Sequence, residues 1–468
     1  MIQENYLLNS ELAQRLYHDH AASLPLIDYH SHLDAKDLSS DRRFSDLTEL
    51  WIAPDQYKHR AMRMLGVPES DITGSASPRK KFHRWAETLP KTLGHPLFSW
   101  SAIELRTYFD ITEPLNPASA NRIWDQANHR LQQASHGARG LLLARNVESV
   151  RTSDRFLDDL SAHANLARSD FPVRVHPSLR GDDALAVEGD GFRDWIRSLG
   201  EATVTKIHSL ESYQAALLCR LEIFAEHGCT LTDHGIDIFD YRPGRQAEAA
   251  RAFSRLLAGE RNSADDLASL HSFLLSFLAG EYARRGWAMQ LHLGAQRQTS
   301  GRLRRALGPA GGYASIGGNL NVAALCTFFD DLESRGALPK TILYSLNPGD
   351  YPVLATLSGS FTEEGTPGKI QFGPAWWYND HAFGIRQHLD TLSNYGLLST
   401  FIGMTTDSRS LLSMVRHDYF RRILCDWFAE RAGKGSMPND VTFLGSYVRR
   451  IACANARDWL PAPSSLSP

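Results

Sequence analysis

Short apolar runs of strand length recur along the chain and, beyond residue 140, alternate with longer stretches whose apolar positions follow helical spacing. Eight such runs predict β-strands over residues 24–29, 146–153, 172–178, 229–233, 289–292, 341–346, 369–373 and 399–407. Eight strands that alternate with helices are the signature of a (β/α)₈ barrel. We therefore predict an α/β protein built on a TIM-type barrel.

A long region between the first two predicted strands shows only helical spacing of its apolar positions. It predicts helices over residues 47–51, 57–65, 80–89, 101–109 and 121–133, separated by Gly and Pro. Helical patterns also precede the first strand and follow the last one. We therefore divide the chain into an N-terminal arm with strand 1 (1–33), a helical insertion subdomain (34–140), the remainder of the barrel (141–410) and C-terminal helices (411–468).

Composition changes this picture little, but it excludes several classes of protein. The 468 residues are 43% hydrophobic and 22% charged, which is an ordinary globular composition. The net charge is −3 and no block of Lys or Arg occurs, so we expect no nucleic-acid partner and no membrane partner. The first residues lack the basic and apolar regions of a signal peptide, and no apolar run reaches membrane-spanning length.

The cysteines indicate a compartment. Five are present, they are scattered, and none stands in a C-x-x-C pair: Cys219, Cys229, Cys326, Cys425 and Cys453. This usage favours free thiols over a disulfide framework and predicts a cytoplasmic protein.

The first predicted strand ends in His30-Ser31-His32. Side chains alternate along a strand, so the two imidazoles point the same way. Neutral imidazole is a common ligand of Zn, Fe and Ni, and two of them on one face supply half of a metal site. The spacing alone is equally compatible with two ordinary histidines at a strand end.

The carboxyl end of strand 8 adds a third ligand. Strands 1 and 8 are neighbours when such a barrel closes, and active sites lie at the carboxyl ends of the strands. Asp407 would then meet His30 and His32, and two imidazoles with one carboxylate suit a catalytic divalent metal. Asp407 could instead be a helix N-cap, and His292 on strand 5 could be a satisfied core histidine.

Two arginines at other strand ends narrow the chemistry. Arg180 follows strand 3 and Arg409 follows strand 8, and guanidinium groups bind carboxylates through paired hydrogen bonds. Beside a metal they suggest an anionic, oxygen-rich substrate, although each could form a surface salt bridge. The run Trp376-Trp377-Tyr378 could form a wall for a sugar ring or pack in the core.

Several segments resemble motifs of the uronate isomerase (glucuronate isomerase) family, which belongs to the amidohydrolase superfamily of metal-dependent hydrolases. The opening one is Asp28-Tyr29-His30-Ser31-His32-Leu33, and the others are 55–63, 94–105, 289–294, 368–373, 403–410 and 416–422, so that the resemblance extends over nearly the whole chain. The resemblance implies a metal-dependent-hydrolase type of barrel. It also implies aldose–ketose isomerisation of hexuronates in their catabolism, D-glucuronate to D-fructuronate and D-galacturonate to D-tagaturonate.

The resemblance implies a role for each candidate residue. His30, His32 and Asp407 would surround one divalent metal ion, for which we expect Zn, with Mn or Fe as alternatives. We expect Asp407 to assist ring opening as well. The further catalytic residues are expected to be Tyr57, His292 and Asp233, and the substrate-binding residues Arg180, Arg409, His59, Trp376 and Trp377.

Tyr57 or a histidine is the candidate for moving a proton between C2 and C1 of the sugar. A tyrosine base needs a pKa far below its usual value of about 10, and we expect nearby cations to lower it. The partner is expected to be a small-molecule hexuronate, and the chain is expected to form a homo-oligomer.

The chain departs from the family pattern in three places. Gly181 stands where proline is usual, Pro374 where serine is usual, and 314–318 lacks a common acidic residue, so the preferred uronate stays open. Two rival functions also stay open, a mononuclear hydrolase and a catalytically inactive binding barrel. A two-metal hydrolase is disfavoured, because Asp233 and Asn347 occupy the places of its bridging lysine and its histidine.

Overall fold

The computed structural model describes residues 3–189 and 191–462. The last six residues of the predicted C-terminal segment therefore lie outside the described residues. No helix in the described ranges is long and apolar enough to cross a membrane. The five cysteines are free thiols.

The described residues contain one large parallel sheet and one small antiparallel pair. In chain order the strands are β1 Leu26–Asp28, β2 Val147–Arg155, β3 Arg174–Arg180, β4 Leu231–Gly235, β5 Ala288–Leu293, β6 Ala295–Gln296, β7 Ser315–Ile316, β8 Thr341–Ser345 and β9 Ile370–Phe372. The large sheet is curled and runs β1-β2-β3-β4-β5-β8-β9, and β6 pairs with β7. Seven of the eight predicted strands are thus present, each within two residues of its predicted ends, whereas the β6–β7 pair was not predicted.

The prediction of an eighth strand over 399–407 was wrong, because this segment does not form a regular strand. The segment begins with a 3₁₀ turn, Leu398–Thr400, and then runs irregularly beside β1. Two main-chain hydrogen bonds still join its end to the residues that follow β1, from the His32 amide to the Ser408 carbonyl (2.9 Å) and from the Asp407 amide to the His30 carbonyl (3.0 Å).

A side chain explains why the ladder is irregular there. The buried Asp28 carboxylate accepts hydrogen bonds from the Thr406 amide (2.7 Å) and from the hydroxyls of Thr405 (2.7 Å) and Thr406 (2.6 Å). Asp407 then adopts a positive φ of 47°, which interrupts strand geometry. Seven regular strands therefore form the sheet, and a segment held largely by the Asp28 side chain lies beside β1.

The described ranges also contain twenty α-helices. They are α1 Glu11–His20, α2 Ala35–Ser39, α3 Gln56–Met64, α4 Pro78–Thr88, α5 Pro96–Phe109, α6 Ala120–Leu131, α7 Ala138–Leu143, α8 Ser161–Arg168, α9 Asp182–Leu185, α10 Phe192–Ala202, α11 Leu210–Glu226, α12 Gln246–Ala258, α13 Ala264–Arg284, α14 Gly301–Leu307, α15 Val322–Ser334, α16 Tyr351–Leu357, α17 Ala382–Tyr395, α18 Val415–Gly433, α19 Val441–Arg449 and α20 Asn455–Trp459. The predicted helix over 47–51 is a π-helical turn, Thr48–Ile52.

Helices α2–α7 lie between β1 and β2 in the chain. Helices α3–α6 match the predicted helices over 57–65, 80–89, 101–109 and 121–133, whereas α2 and α7 were not predicted. Asp55 caps α3, because its carboxylate accepts from the amides of Tyr57 (2.9 Å) and Lys58 (3.2 Å). This cap sets Tyr57 on the first turn of α3. Lys58 is buried between Asp55 and Glu104, which anchors that turn to α5 through charge.

Candidate active site

A cavity of about 560 Å³ opens at the carboxyl ends of the parallel strands. Its volume is that of a small-molecule site. The strand ends contribute its floor and the helical insertion contributes one wall. Residues that line it include His30, His32, Tyr57, Arg180, His292, Trp376, Trp377, Asp407, Arg409 and Arg416. The structure thus brings together most of the predicted site residues.

Three side chains of the types that bind metals converge in this cavity. The Nε2 atoms of His30 and His32 lie 3.2 Å and 3.0 Å from the same oxygen, Oδ1 of Asp407. One ligand atom from each residue lies within 4.8 Å of the others. Two imidazoles and a carboxylate that converge in this way fit a divalent transition metal.

Asp407 is held in this position from two sides. Its amide is bonded to β1, as described above, and its Oδ2 atom accepts a hydrogen bond from Nε1 of the buried Trp376 (2.5 Å). Burial by itself raises the pKa of Asp407, but the hydrogen bonds from His30 and His32 outweigh it and hold this pKa well below its usual range. Asp407 caps no helix, since Ser410 precedes the following 3₁₀ turn.

His292 lies beside the cluster on β5. Its ring stacks on Tyr344 with centroids 4.4 Å apart and lies 4.6 Å from the ring of His30. Burial, and then His30, lower the pKa of His292 well below its usual value, so the ring is neutral. Its Nε2 atom is buried and has no hydrogen-bond partner in the described structure, so His292 is not a satisfied core histidine.

Asp233 lies beneath the cavity at the carboxyl end of β4. It is fully buried, accepts a hydrogen bond from the Ser153 hydroxyl (2.6 Å), and lies 3.6 Å from Nη1 of Arg180. Burial alone would raise the pKa of Asp233, but Arg180 and the nearby His30 and His292 lower it below the usual range. Asp233 therefore carries a negative charge below the floor.

Arg180 is fixed by acidic neighbours rather than by a surface salt bridge. Its Nε donates to Asp182 (2.8 Å), and the other oxygen of Asp182 accepts from the Gly235 amide (2.8 Å). Gly181, between Arg180 and Asp182, lies so close to the His234 ring that any Cβ would overlap it. The packing of His234 therefore leaves no room for a side chain at position 181.

Arg409 has no such clamp. Its side chain is exposed, lines the cavity and forms no hydrogen bond or ion pair with any residue of the described ranges.

A further cation of the cavity, Arg297, was not predicted. It follows β6 and pairs with Asp237. Its Nη2 atom and that of Arg180 both lie beside Gly235, each 3.0 Å from the place that a Cβ atom would take on that glycine. The chain carried no signal for Arg297, because β6 is too short to recognise.

The insertion side of the cavity is built around Tyr57. Its hydroxyl donates to Oδ2 of Asp380 (3.1 Å), and the guanidinium of Arg416 lies 5.0 Å from its ring centre. The expectation that cations lower the pKa of Tyr57 was wrong. Burial and then Asp380 raise this pKa well above its usual value, and they outweigh Arg416.

Asp380 and Arg416 were not among the predicted site residues. Both are buried, and Nη1 of Arg416 lies 3.5 Å from Oδ2 of Asp380. Each nevertheless stands in a segment with a signal. Asp380 ends the aromatic run that follows β9, and Arg416 opens the motif over 416–422.

The remaining candidates divide between the cavity and the core. Trp376 contributes its indole N–H to Asp407, and Trp377 stacks on Tyr378 at the cavity wall with centroids 4.8 Å apart. His59 is buried in the insertion and is not among the residues that line the cavity. Burial lowers the pKa of His59 to about 4. Its role in substrate binding stays a prediction.

A curled parallel sheet with metal-ligand chemistry at its carboxyl ends is the arrangement of metal-dependent α/β enzymes. A Lactobacillus casei protein whose crystal structure is described as that of a putative metal-dependent hydrolase shares the fold, with a TM-score of 0.51 at 12% identity, over 94% of this chain and 96% of that one.

The chain belongs to the glucuronate isomerase family, whose model matches residues 1–460. A uronate isomerase from Geobacillus thermodenitrificans is 44% identical over 459 residues, 98% of each chain. The crystal structure of a uronate isomerase from Thermotoga maritima matches with a TM-score of 0.93 at 29% identity, over 98% of this chain and all of that one.

Proposed function

We propose that this chain is a uronate isomerase, an aldose–ketose isomerase that converts D-glucuronate to D-fructuronate and D-galacturonate to D-tagaturonate. One observation carries the proposal beyond family membership. Arg180 and Arg409 line the same cavity as the His30, His32 and Asp407 cluster. A hexuronate carries a carboxylate for a guanidinium and several hydroxyls for a metal, and the cavity offers both kinds of partner.

We propose that His30, His32 and Asp407 hold one divalent metal ion, with Zn as the first choice and Mn or Fe as alternatives. The fit rests on the donor set and on the convergence of its three ligand atoms. When bound, such an ion supplies positive charge that orients and polarises substrate oxygens.

The other groups of the cavity divide the remaining work. Arg409, which has no internal partner, binds the substrate carboxylate or a developing enediolate oxygen. Arg180, at the end of β3, assists Arg409 in this binding. The neutral His292 contacts a sugar hydroxyl beside the cluster. Asp407 assists ring opening, and Tyr57 exchanges the proton between C2 and C1. Asp233 holds Arg180 in place from below.

We further propose that the sheet closes as an eight-stranded barrel, with 401–407 as its eighth member. The two main-chain hydrogen bonds to β1 and the bonds of Asp28 support this closure. The four-part division of the chain, a cytoplasmic location and a homo-oligomeric state complete the proposal. The free thiols agree with a reducing compartment.

No observation favours the hydrolase alternative. The described residues contain one cluster of metal-ligand chemistry. Asn347 caps a 3₁₀ turn by accepting from the Gly349 amide (3.0 Å) and donates to Asn319 (3.0 Å). Asp233 accepts from Ser153 through Oδ2, and its Oδ1 lies 3.6 Å from Arg180, so its charge is paired with Arg180.

The test is direct. Purified protein is incubated with D-glucuronate or D-galacturonate in D₂O, and ¹H and ¹³C NMR follow ketose formation and deuteration. We expect the ketose to form from at least one uronate, and D-glucose, which lacks the carboxylate, to react far more slowly. If neither uronate yields a ketose or exchanges its C2 proton, the proposed function is wrong.

A further inference from the structure

Tyr57 poses a chemical problem at the centre of the cavity. A tyrosine that accepts a carbon-bound proton must first lose its own, yet burial and Asp380 raise the pKa of Tyr57 well above its usual value. The resting side chain is therefore a phenol. Its proton points at a carboxylate, because the hydroxyl donates to Oδ2 of Asp380 at 3.1 Å.

Asp380 is suited to receive that proton. Its side chain is buried, and it lies in the loop between β9 and α17, behind Tyr57 as seen from the cavity. Burial raises the pKa of Asp380 above its usual value, and Arg416 and Tyr57 lower it in part. A raised pKa makes the Asp380 carboxylate a better proton acceptor than an exposed aspartate.

Arg416 holds this pair together. Its guanidinium lies 4.2 Å from the ring centre of Trp100 and 5.0 Å from that of Tyr57, and its Nη1 lies 3.5 Å from Asp380. Nε and Nη1 of Arg416 are buried and have no hydrogen-bond partner in the described structure. Such an arginine keeps Asp380 ionised at rest and stabilises charge that moves from Asp380 to Tyr57.

We propose that Asp380, held by Arg416, is the proton-relay partner of Tyr57, so that Tyr57 and Asp380 act together as the shuttle between C2 and C1 of the substrate. The inference rests on the proposed isomerase function and deepens it. Tyr57 is the group that meets the substrate, and Asp380 and Arg416 are positioning residues that act through it.

The proton balance closes without another reactant. The C2–H bond breaks, its electron pair forms the C1–C2 double bond of an enediolate, and the aldehyde oxygen takes the negative charge. The C2 proton goes to Oη of Tyr57 while the phenol proton moves to Oδ2 of Asp380. A proton then passes from the oxygen on C2 to the oxygen on C1. Tyr57 gives the proton that it took from C2 to C1 while Asp380 returns its proton to the phenol oxygen, and the ketose is complete.

The first experiment compares Asp380→Asn, Tyr57→Phe and the double variant. An asparagine oxygen still accepts the Tyr57 hydrogen bond but takes up no proton. We expect kcat of Asp380→Asn to fall by about 100-fold, with KM and metal content changed by less than about threefold. Deuterium exchange at C2, read by NMR in D₂O, slows in the same proportion. Asp380→Glu, which restores the carboxylate, recovers at least about tenfold of kcat.

The double variant separates a relay from a structural role. If Asp380 acts through Tyr57, Asp380→Asn added to Tyr57→Phe costs less than about twofold in kcat. The matched control is Asp426→Asn on α18, because Asp426 is also buried and paired with an arginine, Arg386, but lies outside the cavity. We expect its kcat to stay within about twofold of wild type.

Three outcomes overturn the inference. They are an Asp380→Asn enzyme with normal kcat, a Tyr57→Phe enzyme with normal C2 exchange, and a double variant whose kcat is a further tenfold below that of Tyr57→Phe.

If Asp380→Asn does not fold, the relay is tested with Arg416→Lys, alone and combined with Tyr57→Phe. It should lower kcat at least about tenfold alone and less than about threefold in the double variant, and equal losses in both backgrounds contradict the relay. A wild-type protein that isomerises no uronate refutes the proposed function, whereas an active wild type with an unaffected Asp380→Asn refutes only the relay.

Discussion

The two sides of the cavity are built in different ways. The metal-side wall, defined by His30, His32 and Asp407, comes from two chain segments that run side by side and share main-chain hydrogen bonds. The insertion-side wall, defined by Tyr57, Asp380 and Arg416, comes from α3, the β9–α17 loop and α18. Its members meet through side chains alone, by one hydrogen bond, one ion pair and ring contacts.

This difference has a functional consequence. The main-chain bonds between these segments, together with the bonds of the Asp28 carboxylate, hold the three candidate ligands with little freedom, as a catalytic metal would need. A wall assembled from separate elements depends on packing, and it can hold a phenol and a carboxylate in a dry environment that shifts both pKa values. The metal-side wall should therefore govern metal retention, and the insertion-side wall should govern proton transfer without affecting the metal.

The largest expected effect tests the metal-side wall. Asp407→Asn should lose the metal and lower turnover by at least ~10³-fold, since a Lewis acid supplies several kcal/mol of stabilisation to developing charge. Treatment with a chelator should do the same to the wild type, and added Zn or Mn should restore it. Elemental analysis and the uronate assay measure both effects. Tyr57→Phe should keep its metal, and a metal-free Tyr57→Phe would contradict the division between the walls.

A second prediction concerns the support of the metal-side wall. Asp28→Ala removes the acceptor of three buried hydrogen bonds from Thr405 and Thr406 and should lower the free energy of unfolding by ~3 kcal/mol. Urea unfolding gives this value. Asp28→Asn keeps one oxygen acceptor, so its loss should be smaller. Equal stability of the alanine variant and the wild type would mean that the main-chain bonds alone hold the segment.

A third prediction separates binding from turnover. Asp182→Asn weakens the clamp on Arg180. KM for D-glucuronate should then rise about tenfold, which corresponds to the free energy of one hydrogen bond to a charged group, while kcat changes by less than about threefold. Steady-state kinetics measure the two constants. A fall in kcat with unchanged KM would assign Arg180 to the chemical step instead of substrate binding.

The smallest effect compares the stability of the two regions. Burial lowers the pKa of His388, beneath β9, to about 4, and that of His59, in the insertion, to about 4. Between pH 6.5 and about 4 the unfolded chain therefore binds more protons than the folded one. The free energy of unfolding then falls with decreasing pH by up to ~1.4 kcal/mol per pH unit for each histidine.

Urea unfolding at pH 7, 6 and 5 tests this expectation. His388→Gln and His59→Gln should each flatten the slope by about one proton, in a single transition, because apolar residues of the insertion and of the helices around the sheet share one core. Two transitions, with His59→Gln affecting one alone, would show that the insertion unfolds by itself.

Much of the fold was accessible from the sequence. Seven parallel strands and the helices of the insertion follow from local periodicity, because strand and helix patterns are set by which residues face the core. The convergence of three candidate metal ligands was accessible for a related reason. His30 and His32 directly follow the first strand, and the topology of a barrel places the segment with Asp407 beside it.

The errors and omissions all concern side chains that act across the structure. The irregular segment 399–407 depends on the Asp28 carboxylate, which replaces part of a backbone ladder from a distance of 377 residues. The pKa of Tyr57 depends on burial and on Asp380, and no local pattern reports either. Arg297 follows a strand of two residues, and Arg416 is recognisable as a site residue only where its helix meets the cavity.

The sequence by itself therefore determined the α/β class of fold, the order of its main strands and the convergence of candidate metal ligands near strand ends, because these properties depend on local patterns and on one rule of topology. The tertiary structure alone decided the protonation state of Tyr57, the clamp on Arg180 and the meeting of Asp380 with Arg416. Electrostatic energies depend on distance and burial in space, and these are set only when elements far apart in the chain pack together.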